Sequence, residues 1–100
     1  MNTSVSVAAP ANLTATALTK SSIGLRWTNQ TTNQTVVRID RCTGSNCTNF
    51  SQVVELPGTA TTFTDSGLAA RTTYRYRARA HSTLGGGDSP YSNIASVRTK

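Results

Sequence analysis

Two cysteines, Cys42 and Cys47, are the residues of this 100-residue chain whose type and spacing most directly indicate chemistry. They flank the polar segment 43–46, which is typical of a turn, so on a hairpin they would face each other within disulfide distance. A zinc site needs four ligands, and the sequence offers these two thiols and His81, which lies on another predicted strand. A redox-active pair would have the shorter Cys-x-x-Cys spacing beside a helix N-terminus. We therefore predict a structural disulfide, which implies an oxidising compartment.

A hydrolytic triad is the second chemistry to consider, because His81, Ser82 and Asp88 lie close together in the chain. Neighbouring residues on a strand point to opposite faces of a sheet, so His81 and Ser82 would not meet as base and nucleophile. No pair of acidic residues is marked for glycoside hydrolysis, and Asp65 is expected to cap a bend at residues 66–67. We predict no catalytic, cofactor-binding or metal-binding residues, and the chain is not expected to be an enzyme.

Basic residues give the chain its clearest surface feature. Ten Lys and Arg against four Asp and Glu produce a formal net charge of +6. Within residues 74–80, arginines alternate with Tyr or Ala, which predicts a half-buried strand that directs the arginines to solvent. The candidate binding surface comprises Arg38, Arg75, Arg77, Arg79 and Tyr91. It would suit an acidic partner domain or an anionic polysaccharide, although a solvated face without a ligand is the commoner use of such a pattern.

Seven segments show the short apolar patterns of strands, with turn residues between them and no predicted helix. They are residues 12–17, 21–28, 35–42, 47–56, 61–65, 74–80 and 91–99, with a Gly-rich loop over 82–90. The frequent Thr and Ser also favour strands. Ile94 and Val97 are the expected apolar contacts of the last strand. The pattern predicts an all-β, seven-stranded antiparallel sandwich.

Three residues are expected to organise its core: Trp27, Leu68 and Tyr74. Trp27 is the largest apolar side chain of the second segment. Leu68 precedes Tyr74 by six residues across a short bend. This spacing suits a Leu that closes the core and a Tyr hydroxyl that reaches back to the backbone, as in the tyrosine corner of Greek-key sandwiches.

The order of these residues resembles a fibronectin type III domain over about residues 9–99. The resemblance rests on Ile23-x-Leu25-x-Trp27, Val37-x-Ile39, Phe63-Thr64-Asp65, Leu68 and Tyr74. It implies an immunoglobulin-like Greek-key fold in which the first, second and fifth segments form one sheet and the others form the second. Residues 1–8 are then expected to be a linker, and residues 9–100 the domain.

Two features refine what the resemblance implies. Adhesive members of the family carry Arg-Gly-Asp in the loop before the last strand, whereas Gly86 stands here where the Arg would be. The segment around Cys42 and Cys47 looks like type III modules of bacterial secreted proteins, which commonly adjoin catalytic or carbohydrate-binding domains of polymer-degrading enzymes. The resemblance therefore implies a secreted or extracellular, non-catalytic spacer or interdomain contact, and the first residues, which lack the pattern of a signal peptide, suggest a fragment of a longer protein.

The expected partners are the neighbouring domains of the parent chain, and the module itself is expected to be a monomer. The alternative is a binding module that holds a polysaccharide or a protein through its loops or through its arginines. We expect no cofactor and no nucleic acid partner. Membrane insertion is not expected either, because no apolar run approaches the roughly 20 residues that span a bilayer.

Overall fold

The structure is a computed structural model that describes residues 7–31, 34–83 and 87–100, and these residues form eight strands and no helix. The strands are β1 (Ala11–Thr19), β2 (Ser22–Thr28), β3 (Val36–Thr43), β4 (Ser51–Pro57), β5 (Thr62–Asp65), β6 (Thr73–Ser82), β7 (Gly87–Asp88) and β8 (Ala95–Arg98). The same residues include no helix able to cross a membrane. Residues 1–6 of the predicted linker, and Gly85 and Gly86 of the predicted Gly-rich loop, lie outside the described residues. Val7, also placed in the linker, is buried.

Two antiparallel sheets form the sandwich. One has the strand order β1-β2-β5, and the other has the order β4-β3-β6, with both β7 and β8 paired to β6. This division agrees with the one implied by the resemblance. The described chain has eight strands where seven were predicted, because Gly87 and Asp88 pair with Ser82 and His81. Gly87 has a φ of 61°, a left-handed conformation that glycine adopts without steric cost.

The core lies between the sheets and is filled by inward-facing residues of both. Its buried members are Leu13, Ile23, Leu25, Trp27, Val37, Ile39, Tyr74, Tyr76, Ala78 and Ala95. Trp27 is only 4% exposed, and its indole N–H donates to Asn29 Oδ1 at 3.2 Å, so burial leaves no unpaired donor. Leu68 is half-buried and packs against the edge of this cluster. The Tyr74 hydroxyl accepts a hydrogen bond from the Ala69 backbone N–H at 2.9 Å, which is the geometry of a tyrosine corner.

The last strand begins later than predicted, at Ala95. Before it, the Ser92 hydroxyl accepts from the Ala78 N–H at 2.9 Å, and the Asn93 side chain bonds the N–H and the carbonyl of Leu13 at 3.0 and 2.9 Å. The prediction that Ile94 contacts the core was therefore wrong. Ile94 is 45% exposed, whereas Ala95 is 8% exposed and Val97 packs against the core as expected. The side-chain bonds of Ser92 and Asn93 determine which residues of this segment face inward.

A buried carboxylate joins the two sheets. Asp65, at the end of β5, is 6% exposed, and its Oδ2 accepts from the guanidinium of Arg41 in β3 and from the hydroxyl of Tyr76 in β6, both at 2.8 Å. Burial, and then the hydrogen bond to Asp65, raise the pKa of Tyr76 well above its usual range, so the hydroxyl stays protonated as a donor. The expectation that Asp65 caps the bend at residues 66–67 was wrong, since its carboxylate is directed inward.

We predict that Tyr76→Phe destabilises the domain more than Tyr74→Phe. Tyr76→Phe removes a donor from a buried charged acceptor, which costs about 1.5 to 3 kcal/mol. Tyr74→Phe frees the N–H of the exposed Ala69, which water can bond, so its cost should stay near 1 kcal/mol or below. Urea denaturation of both variants at pH 7 measures the difference. Equal losses, or a larger loss for Tyr74→Phe, would show that Asp65 does not depend on Tyr76.

Candidate functional site

The candidate site is the outer face of the five-stranded sheet. Because Tyr74, Tyr76 and Ala78 of β6 point into the core, the intervening arginines point outward. β3 lies beside β6 in a register that places Arg38 opposite Arg79 and Asp40 opposite Arg77. We call this surface the arginine face. It comprises the predicted residues Arg38, Arg75, Arg77, Arg79 and Tyr91, together with Phe50.

Aromatic rings lie close to the arginines of β6. The Arg77 guanidinium carbon lies 3.7 Å from the ring centre of Tyr91 and 4.4 Å from that of Phe50. Tyr91 also lies 4.7 Å from Arg79, and Phe50 lies 5.9 Å from Arg75. These are cation–π distances. Each ring is thus engaged by two cations.

Phe50 is the residue of this surface that the sequence analysis missed. A simple alternation would place Phe50 on the same face as Val54, which packs against the core. The register between β3 and β4 shifts, however, because Ile39 pairs with Val54 whereas Asp40 pairs with Gln52. This irregularity reverses the inward–outward alternation of β4. Residues that precede it, including Phe50, therefore lie on the opposite side of the sheet from the one that simple alternation predicts. No sequence motif marks this register shift. The outward position of Phe50 therefore becomes visible only in the tertiary structure.

Carboxylates are interleaved with these arginines. Arg38 contacts Glu55 at 3.0 Å and Asp88 at 3.2 Å, and Arg77 contacts Asp40 at 3.2 Å. Arg79 lies 3.8 Å from Asp88. The four arginines named here and their three carboxylate partners carry a net charge of about +1, so this part of the sheet is close to neutral.

Asp88 is the centre of these contacts. Its Oδ1 lies 2.8 Å from His81 Nδ1, and Arg38 and Arg79 approach the same carboxylate. The hydrogen bond with His81, reinforced by the charges of Arg79 and Arg38, holds the pKa of Asp88 below its usual value. Ser82 is buried and lies on the opposite face of β6 from His81. The structure therefore brings together two members of the conceivable triad and keeps the nucleophile away.

The predicted disulfide is present. Cys42 and Cys47 are joined, with their Cα atoms 5.9 Å apart, and Gly44 has a φ of 114° within the loop that they close. The Cys47 carbonyl accepts a hydrogen bond from Arg75, which fastens the closed loop to the arginine face. Phe50 follows three residues later. Among the described residues there is no cluster of three or more His, Cys, Asp or Glu that could hold a metal ion.

Two shallow grooves lie elsewhere on the described surface. One, of about 300 Å³, crosses the outer face of the three-stranded sheet between Thr16 and Thr64, and Arg26 is its titratable lining residue. The other, of about 230 Å³, lies between the β2–β3 and β4–β5 loops. Its amides, Asn29 and Gln34, already donate to the Gly58 carbonyl at 3.3 and 2.9 Å. Neither groove assembles an acid–base pair.

The two packed antiparallel sheets and the tyrosine corner define an immunoglobulin-like β-sandwich module. A family model described as "Fibronectin type III domain" matches residues 8–98. The chain belongs to this family.

Relatives place such a module within much longer chains. The chain is 43% identical over 91 residues to "Chitinase A1" of Niallia circulans, a match that covers 91% of this chain and 12% of the relative. It is 40% identical over 79 residues to "Alpha-amylase" of the same organism, covering 78% of this chain and 6% of the relative. The chain therefore spans only a small fraction of either protein.

Solved structures show the same fold. A Fn3-like protein from Clostridium thermocellum has a TM-score of 0.78 and 25% identity, and the match covers 96% of each chain. Domains A168–A170 of titin have a TM-score of 0.81 and 20% identity, covering 95% of this chain and 32% of that one. At that identity, the likeness to titin concerns the fold alone.

Asp88 predicts a specific acid dependence. Because its pKa is lower in the folded state than the usual value of 3.8, its contacts stabilise the fold above about pH 4. This contribution is lost as the pH falls through the folded-state pKa. We expect Asp88→Asn to be less stable than the wild type at pH 6, and the gap to close toward pH 2, as measured by urea denaturation at a series of pH values. In a His81→Asn background the closure should be smaller, because the principal partner has gone. A gap that stays constant from pH 6 to pH 2 would contradict the assignment.

The disulfide should contribute modestly to stability. For so short a loop, the chain-entropy contribution is about 2 kcal/mol. We expect the double variant Cys42→Ser/Cys47→Ser to lose about that amount in urea denaturation. Phe50→Leu, with the bridge intact, should lose about 0.5 to 1 kcal/mol through its arginine contacts, apart from any packing change. A double cysteine variant as stable as the wild type would show that the bridge does not constrain the hairpin.

Proposed function

We propose that this chain is a non-catalytic module of a secreted bacterial multidomain protein, such as a polysaccharide-degrading enzyme, in which it acts as a spacer or interdomain contact. The main support comes from the two curated relatives. Their names give different activities, a chitinase and an amylase, yet the matching segment is 12% of one and 6% of the other. A segment shared by enzymes of different activity is better explained by an accessory role than by the chemistry of either.

The path of the chain supports a spacer. Ala11, the first residue of β1, pairs with Thr28 at one end of β2. The turn between β1 and β2 lies at the other end, where the Ser21 carbonyl accepts from the Leu68 N–H at 3.0 Å. The Lys100 carbonyl accepts from the Arg71 N–H at 3.4 Å, in the same segment as Leu68. The domain therefore receives the chain at one end and releases it at the opposite end, which would hold two neighbours apart.

The disulfide supports secretion. A bridge between Cys42 and Cys47 persists in an oxidising environment, whereas cytosolic reductants keep most thiols reduced. The partners of such a module would be the domains on either side of it, and the module itself would be a monomer. The alternative of a ligand bound on the arginine face is less well supported, because its guanidinium groups already contact Asp40, Glu55, Asp88 and two aromatic rings.

The isolated chain tests the non-catalytic part of this proposal. We expect it to release no reducing sugar from chitin or starch and to show no retention on either insoluble polymer in a pull-down assay. Bovine serum albumin is the control for background retention. Hydrolysis that is abolished by His81→Ala would overturn the proposal in favour of an enzyme, and specific retention on either neutral polymer would overturn it in favour of a substrate-binding module.

The spacer role is tested in the protein that carries the module. Deleting the module should lower activity on the insoluble polymer and leave activity on a soluble oligosaccharide unchanged. Replacing it with an unrelated β-sandwich whose termini also lie at opposite ends should restore the lost activity. Failure of this replacement, with both chains folded, would show that the module contributes a specific surface and not only a distance.

A further inference from the structure

The unpaired positive charge of this domain is unevenly placed. Within the described residues, which include every Lys, Arg, Asp and Glu of the chain, Arg38, Arg41, Arg77 and Arg79 form ion pairs with carboxylates. The six remaining cations lie within 4 Å of no carboxylate in this part of the chain: Lys20, Arg26, Arg71, Arg75, Arg98 and Lys100. Their number equals the formal net charge of +6. The net charge of the protein therefore comes from these six side chains, of which only Arg75 belongs to the arginine face as defined above.

Four of the six converge on one end of the sandwich. Lys20 lies in the turn between β1 and β2, and this turn is bonded to the β5–β6 segment through the Ser21 carbonyl and the Leu68 N–H at 3.0 Å. The C-terminal end is bonded to the same segment, because the Thr99 N–H donates to the Thr72 carbonyl at 3.0 Å. Arg98 pairs with Thr73 at the start of β6. We call this end the basic pole, and its cations are Lys20, Arg71, Arg98 and Lys100, all exposed.

Among the described residues, no free side-chain carboxylate balances the basic pole. Asp65 is the nearest acidic residue in the sheet register, since it pairs with Ile23 close to the β1–β2 turn. Its carboxylate is buried and bonded to Arg41 and Tyr76. The other three carboxylates are held on the arginine face. The fold therefore keeps the four acidic side chains away from the cations of the basic pole, because each acid is bonded to other residues.

The backbone at Arg71 is a second, independent feature of this end. Arg71 has a φ of 50°, a left-handed conformation that costs a non-glycine residue about 1 to 2 kcal/mol. Gly or Asn would adopt it more readily, yet the chain carries a long cation there and exposes it. Residues in such conformations cluster at functional sites, and the N–H of this one donates to the carbonyl of Lys100, another cation of the basic pole, at 3.4 Å.

We propose that the basic pole binds an anionic polysaccharide that carries carboxylate groups along its chain. A protein partner fits less well, because protein interfaces depend on an apolar or aromatic centre. The exposed large hydrophobic residues of the described chain are Leu18 and Ile94. Leu18 lies beside the β1–β2 turn, but its side chain packs over Gly24 in the groove on the three-stranded sheet, and Ile94 precedes β8. The basic pole therefore has one apolar side chain at its edge and no apolar centre. A flexible polyanion needs none, since its binding is driven by repeated charges and by counterion release.

The inference goes beyond the proposed spacer role, which requires no ligand. It also differs from binding on the arginine face, since cations at the basic pole keep their charge and their donors available. Neutral chitin and starch offer no charge to this end, so the absence of retention expected on those polymers is compatible with it.

Two charge reversals test the proposal with a matched control. Arg98→Glu changes the charge of the basic pole by two units, and Arg26→Glu makes the same change on the outer face of the three-stranded sheet. Both wild-type residues are exposed strand arginines without an ion pair, so both variants should fold, which circular dichroism and urea denaturation verify. Polygalacturonate is the probe, titrated at about 20 mM salt to detect binding and at about 100 mM salt to localise it, where the screening length is only about 10 Å.

We expect the wild type to bind polygalacturonate and to lose affinity with rising salt. At the higher salt concentration, Arg98→Glu should weaken binding by about tenfold, and Arg26→Glu by no more than about twofold. No binding at low salt would overturn the proposal. Equal weakening by the two variants would also overturn it, because it would show attraction by net charge alone. Tighter binding of polyglutamate at equal carboxylate concentration would assign the basic pole to an acidic protein. None of these outcomes affects the spacer role.

Discussion

The alternation of β6 is the constraint on which most of this structure depends. A pleated strand must send successive side chains to opposite faces, and β6 places Tyr or Ala on one face and arginines on the other over most of its length. It also pairs with β3, β7 and β8, so that its register sets the positions of their side chains. The same strand thus supplies Tyr74 and Tyr76 to the core and the central cations to the arginine face. A shift by one residue would exchange the two faces and bury the arginines.

Scarcity of carboxylates gives each acidic residue a large effect on the distribution of charge. The chain has only four, and one of them, Asp65, is used between the sheets to bond Arg41 and Tyr76. The other three are used among the arginines of the five-stranded sheet. An ion pair of this kind contributes little to stability when it is exposed, but it removes a cation from the set available to a ligand. The unpaired cations therefore concentrate at the basic pole, which has no free Asp or Glu side chain in the described part of the chain.

Membership of the fibronectin type III family establishes the fold of this chain but not its function. Fibronectin type III domains supply a stable sandwich, and a shared fold leaves the function to be decided by individual surfaces. In this chain the arginine face is the most distinctive surface in the sequence, and most of its guanidinium groups contact carboxylates or aromatic rings of the same domain. The Cys42–Cys47 loop, the Phe50 ring and the Asp88 carboxylate all hold arginines in place. The arginines of this face are therefore largely occupied by contacts within the domain.

Local pattern was enough to determine the all-β class, the tyrosine corner and the Cys42–Cys47 bridge, because each depends on alternation or on short spacing along the chain. The assignment of the strands to two sheets came from the family resemblance. The outward position of Phe50, the exposure of Ile94 and the inward turn of Asp65 were decided only by the tertiary structure. The first depends on a register shift against β3, and the second on side-chain bonds to β1 and β6. The third depends on partners from two strands of the opposite sheet. Sequence spacing does not encode such contacts, since they join residues that become neighbours only when the sheets pack, and for the same reason the formal charge of +6 could be counted but not located.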